Sequence, residues 1–479
     1  MDMLTQPADP EISVPDGRSI AEFLTDEFIL PDAAAIPDAV IDRAVWCFVD
    51  TLGVALAAAG MDIGTAASKV VLQTPGGPST VWGSAQGVSM TDAAFANGML
   101  SHALDFDDTH AAAIMHTSCM VVPAVLAMGQ ASGHSGRDVL AAAVVGYEVA
   151  ARLGRLAPGD FQNNGFQATG VLGVFACAAA ASKLLRLNRE QTVNALGIAG
   201  SMAGGLMEYL ANGSDVKQLH AGWSAQGGIR AAQLAAEGFT GPPTIFEGRF
   251  GVFRSFTRKT VDREATIAFS PGVWEVELMG PKPYPACLCV HALVQAALDI
   301  KQQLITRGGS LEDLVDIHCH VPEWYVNLVF EPVQSKMTPA TSYEARFSGA
   351  YCIARVLLDD TLGLASFSQQ KIDDPEAVRY AQRVTYEVEA LPEFPDAFPA
   401  RVVARLASGE TLESYIRHNL GSPGNPMSPP QYEEKFLTAT QEFLEPAEAR
   451  ELLDAIRGLA APDGMKTLSD RLGRVMLHS

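Results

Sequence analysis

Residues 37–60 read PDAVIDRAVWCFVDTLGVALAAAG and residues 136–157 read GRDVLAAAVVGYEVAARLGRLA. In both, apolar residues recur at i, i+3, i+4 and i+7, the period of an α-helix. Small or apolar residues also occupy most of the remaining faces. Helices of that composition are buried among other helices rather than laid on a surface. The stretch 188–210, NREQTVNALGIAGSMAGGLMEYL, repeats the pattern, and its Gly and Ala residues let helix backbones approach closely. These segments predict a helical bundle that runs to about residue 265, preceded by a loose arm over 1–17.

The texture then changes. Residues 311–321 and 377–390 alternate and are rich in β-branched side chains, and 400–416 reads as two strands around a Ser-Gly turn. Helical stretches, CVHALVQAALDIKQQL and YEARFSGAYCIARVLLD, are interspersed with them. A Pro/Gly-rich linker, GSPGNPMSPP, precedes two more helical segments. The expected fold is mainly α with an α+β part: a discontinuous helical domain over 1–268 and 420–479, and an inserted α+β domain over 269–419.

A chain of 479 residues with a net charge of −21 is expected to repel nucleic acid and anionic membranes. An anionic substrate would have to meet local cations. Seven dispersed cysteines make a poor disulfide framework and fit a reducing, cytoplasmic setting. The polar, acidic N-terminus does not read as a signal peptide, and no apolar run approaches the ~18–20 residues of a membrane span.

Three segments could carry chemistry. Between His102 and Ala127, HALDFDDTHAAAIMHTSCMVVPAVLA sets Asp105, Asp107, Asp108, Thr109, His110 and His116 between apolar helices. Such a polar knot is costly unless its groups are paired or functional. Helix capping explains any single aspartate equally well. A divalent metal is the weaker reading, because no second carboxylate cluster stands elsewhere. In GSDVKQLHAGWSAQGG, Lys217 and His220 stand three apart and share a face if helical. In GPKPYPACLCVH, three prolines hold Lys282 on a stiff segment, while Cys287 and Cys289 read as buried apolar residues. His318 and His320 alternate along an expected strand and point to one face, where a surface or packing pair is the simplest account.

LDFDDTH, HTSCMVVPAVLA, GSDVKQLHAGWSAQGG, EGRFG, KPYPAC and EARFS follow one another in a fixed order along nearly the whole chain. Together they resemble the MmgE/PrpD family, which contains 2-methylcitrate dehydratase, cis-aconitate decarboxylase and iminodisuccinate epimerase. The resemblance implies a large helical domain with a smaller α+β lid, a homodimer, no metal or other cofactor, and a small polycarboxylate as substrate. It carries family positions onto Asp105 and Thr109, onto His116, onto Lys217 with His220 beside it, and onto Lys282. Gln167 stands where many members with the decarboxylase or dehydratase pattern have histidine, and Cys287 aligns with a histidine of the decarboxylase lid segment.

The implied chemistry places charge on the carbon next to a carboxylate. In that reading Lys217 and Lys282 bind carboxylates, His116 is the general acid or base, Asp105 orients it, and Thr109 hydrogen-bonds the substrate. Dehydration of a 2-methylcitrate-like acid, the commonest use of the family pattern, is the leading expectation. Epimerisation of an iminodisuccinate-like acid comes next and cis-aconitate-type decarboxylation third. A catalytically silent polycarboxylate-binding protein is the expectation outside enzymology.

Overall fold

The computed structural model describes residues 17–261, 272–394 and 397–477. The expected N-terminal arm therefore lies outside the described residues except for Gly17, as does the expected domain boundary at 268/269. The described residues fall into two compact units. The larger draws on Met1–Ala103, Asp108–Met279 and Tyr432–Ser479; the smaller draws on Leu104–Asp107 and Gly280–Gln431. The fold is mainly helical with a smaller α+β part, as the periodicities predicted.

The larger unit is built on helices α1 (Asp38–Gly60), α2 (Met90–His102), α3 (Ser118–Ser132), α4 (Gly136–Arg155), α5 (Ala168–Leu184), α6 (Arg189–Ala199) and α7 (Val216–Ala236). Helix α5 is buried on nearly every face, which its run of Gly, Ala and apolar residues allows. Glycine permits the closest approaches. A Cβ on Gly98 of α2 would stand 2.8 Å from the Cα of Gly222 in α7, and one on Gly228 of α7 would stand 2.4 Å from Cys177 of α5. Starts are marked by side chains that accept from the first free N–H groups: Ser89 caps α2, Ser135 caps α4 and Asn188 caps α6. A small hairpin, β1 (Ser79–Val81) with β2 (Gln86–Val88), is antiparallel. No helix among the described residues is long and apolar enough to cross a membrane.

The smaller unit holds a four-stranded sheet of β3 (Leu314–Val321), β4 (Val384–Val388), β5 (Ala400–Leu406) and β6 (Thr411–Ile416), in the order β4-β3-β5-β6. Strand β4 is parallel to β3 at one edge; the other pairings are antiparallel. Along β3, Ile317, Cys319 and Val321 are buried while His318 and His320 lie half-buried between them, the two-residue period of a one-sided sheet. Helices α8 (Leu288–Thr306) and α9 (Gly349–Asp359) pack on the sheet. The stretch YEARFSGAYCIARVLLD is not one helix. A short turn, Ser342–Arg346, stops at Phe347, and Ser348 caps α9 by accepting from the Tyr351 N–H at 2.9 Å. Residues 421–431 cluster with this unit because Gly421, at φ +92, closes a turn with Asn425 and packs against Pro281.

Candidate functional site

In the larger unit, α2 delivers His102 at its last turn, buried to 1% exposure. Thr109, also buried, follows on the chain leading to α3. Asp108 accepts from the Ser118 N–H at the start of α3 at 3.2 Å, so this aspartate does the capping that one reading of the polar knot anticipated. His116 lies between these elements. Its backbone N–H donates to Thr169 Oγ1 at 3.0 Å, and its Nδ1 lies 3.1 Å from the carbonyl oxygen of Asp108. A neutral His116 therefore donates from Nδ1 and keeps the lone pair on Nε2. Its ring meets that of His102 edge-on, centroids 4.7 Å apart.

Gln167, at the cap of α5, ties the next imidazoles together. Its Oε1 lies 2.5 Å from Nδ1 of His220, and its Nε2 lies 3.0 Å from Nε2 of His102. The amide oxygen can only accept, so His220 donates from Nδ1. The amide nitrogen donates, so His102 accepts at Nε2. One glutamine thus orients two imidazoles and fixes the tautomer of His220. It is held in turn by its backbone N–H, which donates to Gly205 O at 2.9 Å. That contact explains the Gly-Gly pair of the GSMAGG stretch: Gly205 has φ +134, a conformation that favours glycine.

His220 and Lys217 lie three residues apart on α7, and both are buried. Burial, the neighbouring His102 and the Lys217 ammonium together push the His220 imidazolium down to about 4. His220 is therefore a neutral group at ordinary pH, and Lys217 is the cation of the cluster. Tyr209 closes one side, its ring centroid 6.0 Å from that of His220.

The smaller unit carries the other predicted residues. Asp105 sits at φ +50, unusual for a residue with a Cβ. Its carboxylate lies 3.1 Å from Lys282 Nζ, which also donates to the Asp105 carbonyl at 2.9 Å. Both side chains are buried, Lys282 to 1% exposure. The Arg346 guanidinium donates to Leu104 O at 2.9 Å and Pro285 O at 2.6 Å, and stacks on Phe367. Burial brings it down to about 10, against the pull of Asp105. The Cys287 N–H donates to Arg346 O at 2.9 Å. Its thiol is lowered by a hydrogen bond from Cys289 and by the Lys282 charge, while burial raises Cys289.

Of the predicted residues, the larger unit thus brings together His116, Gln167, His220 and Lys217 around His102, and it buries Thr109. The smaller unit brings together Asp105, Lys282 and Cys287 around Arg346. His102 and Arg346 went unselected in the sequence. Each stood inside a quoted motif, HALDFDDTH and EARFS, but its partners lie 65 and 242 positions away.

Residues 20–264 match the MmgE/PrpD N-terminal domain and residues 284–460 match the MmgE/PrpD C-terminal domain. The chain is 30% identical over 439 residues to the human cis-aconitate decarboxylase, covering 88% of each chain. It is 28% identical over 457 residues to the cis-aconitate decarboxylase of Aspergillus terreus, covering 88% of this chain and 90% of that one. With the mouse cis-aconitate decarboxylase it shares 29% identity over 430 residues. Both halves of the chain match along nearly their whole length, and the protein belongs to the MmgE/PrpD family.

Proposed function

We propose that this chain is a lyase that acts at the carbon next to a carboxylate of a small di- or tricarboxylic acid, using its own side chains as acid, base and anion receptor. The observation that carries the reading is the imidazole cluster of the larger unit. Three histidines, His102 and His220 both bonded to Gln167 and His116 edge-on to His102, cluster beside the Lys217 ammonium. A carboxylate resists further negative charge at its α-carbon, so a fixed cation and a poised proton carrier are what the reaction requires. Lys217 receives the carboxylate, and His116 takes and returns the proton.

Decarboxylation is the first form of this chemistry to test, because relatives matched over most of their length carry that activity in their names. The bond to the departing carboxyl breaks, its electron pair stays on the α-carbon, and protonated His116 supplies the proton that replaces CO₂. Dehydration is the second form, favoured by one observation. Gln167 occupies the centre of the cluster, and an amide positions imidazoles but is a poor carrier of protons. In that form His116 removes the α-proton and gives it to the departing hydroxyl, which leaves as water.

The two forms separate in D₂O. The protein is incubated with cis-aconitate, 2-methylcitrate and a panel of hydroxy, amino and unsaturated acids, followed by NMR and CO₂ trapping. Decarboxylation gives CO₂ with one deuterium at the vacated carbon; dehydration gives a new alkene without CO₂. Absence of turnover and of α-proton exchange across the panel overturns the lyase reading. His116→Gln lowers kcat by about 10²–10⁴ with the fold retained, as loss of a general acid–base group does.

A further inference from the structure

The polar face of the sheet in the smaller unit carries a group of side chains that the proposed lyase chemistry does not use. His318 and His320 point to the same face of β3, and Glu387 projects from the neighbouring edge strand β4, where it pairs with His320 in register. His318 Nε2 lies 3.4 Å from Glu387 Oε2, and His320 Nδ1 lies 4.0 Å from the same oxygen. All three ligand atoms fall within 4.8 Å of one another. We propose that His318, His320 and Glu387 form a binding site for a divalent transition-metal ion of zinc type, clipping edge strand β4 to β3.

The geometry and chemistry agree. Zinc bonds of about 2.0–2.2 Å set tetrahedral ligand edges near ~3.3–3.6 Å, so these atoms need draw in by at most about 1.5 Å. The Nδ1 of His318 lies 2.8 Å from Thr385 Oγ1, an outer partner that can accept the Nδ1 proton and leave the Nε2 lone pair facing Glu387. Two imidazoles and a carboxylate suit zinc, nickel or copper rather than magnesium or calcium, which prefer all-oxygen shells. His318 and Glu387 side chains are 35% and 66% exposed, so an ion enters without unfolding the sheet.

The surrounding charges are mixed. Glu389 lies 3.1 Å from His320 Nδ1 and is bound by Arg401, which also faces Glu413. Glu389 thus adds negative charge and Arg401 offsets it. The seven cysteines are buried, which leaves no surface thiol to compete for the metal.

The test titrates the full-length protein with Zn²⁺ alone, by calorimetry at neutral pH, beside His318→Asn/His320→Asn and Glu387→Gln. The expected result is one zinc per chain in the wild type, at least about tenfold weaker binding in Glu387→Gln, and loss of that site in the double variant. Far-UV circular dichroism in EDTA checks that the variants are folded. Co²⁺ should give the visible absorption of a four-coordinate ion, and zinc should slow amide exchange in 384–388 relative to the metal-free protein. Equal zinc binding by wild type and double variant, no binding by the wild type, or protection confined to other segments overturns the site.

Discussion

Gln167 uses both ends of one amide on imidazoles, and that makes it the residue with the most specific consequence. Replacement by leucine keeps most of the volume and removes both hydrogen bonds, freeing His102 and His220 to choose their tautomers. Loss of such an orienting partner reduces activity by about 10–100-fold. Gln167→Leu should therefore lower kcat on the accepted acid by that order while the circular dichroism is unchanged; unchanged turnover would mean that the tautomers need no anchor. His220 makes the stability of the fold depend on pH. Its folded value is depressed to about 4 from an ordinary 6.5, chiefly by burial, then by His102 and Lys217. Above pH 6.5 both folded and unfolded forms are neutral and its contribution is fully present. As pH falls through the window from 6.5 to 4, the unfolded chain takes up a proton that the folded one refuses, and about 3 kcal/mol of stability drains away. Denaturant unfolding at several pH values should show this dependence in the wild type and not in His220→Asn. The His220 ring protons in an NMR titration should move near pH 4; movement near 6.5 contradicts the buried, neutral assignment.

Helices α2 and α7 carry His102, Lys217 and His220, and their separation is set by Gly98 and Gly222 rather than by those polar groups. A Cβ on Gly98 meets backbone, the Cα of Gly222 at 2.8 Å and its N at 3.0 Å, and backbone has no rotamer with which to yield. Gly98→Ala should destabilise by about 1–3 kcal/mol, the usual cost of overpacking, and lower activity by moving His102 away from Gln167. Gly204→Ala is the control, since nothing lies within 4 Å of a Cβ there. Thermal unfolding with a steady-state assay distinguishes them: the first variant loses melting temperature and rate, the second neither. The same scale shows what a single sequence discloses. The periodicity of 37–60 and 136–157 disclosed α1 and α4 because burial on most faces leaves a compositional trace. The alternation of His318 and His320 likewise disclosed a shared face. The break between Ser342–Arg346 and α9 was not legible, because Arg346 turns inward to carbonyls at 104 and 285. Pairing of that range has no local signature, and the same limit hid His102 as the partner of Gln167.

Across the whole chain, the C-terminal segment completes the core of the larger unit rather than trailing from it. Helix α10 (Pro429–Thr440) packs against α1, where a Cβ on Gly53 would stand 2.9 Å from the Phe436 ring, and Gly136 at the start of α4 lies against the Leu459 carbonyl. The contact is locked by charge as well as shape. Lys435 Nζ lies 2.5 Å from the Asp50 carboxylate, with side-chain exposures of 6% and 0%, across 385 positions of sequence. Taking two such charges out of water costs several kcal/mol per ion, and their attraction repays it only while both are present. Lys435→Met removes the ammonium and leaves a buried carboxylate without it, so the larger unit should lose about 3–5 kcal/mol. Asp50→Leu with Lys435→Met replaces the pair by apolar contact and should recover most of that loss. Urea unfolding of the three proteins checks the ordering: single variant lowest, double variant close to wild type. If the single variant unfolds with the wild-type midpoint, the ion pair does not fasten the C-terminal helix to α1, and the other contacts of that helix, Phe436 on Gly53 and Tyr432 on Arg43 and Trp46, hold it there.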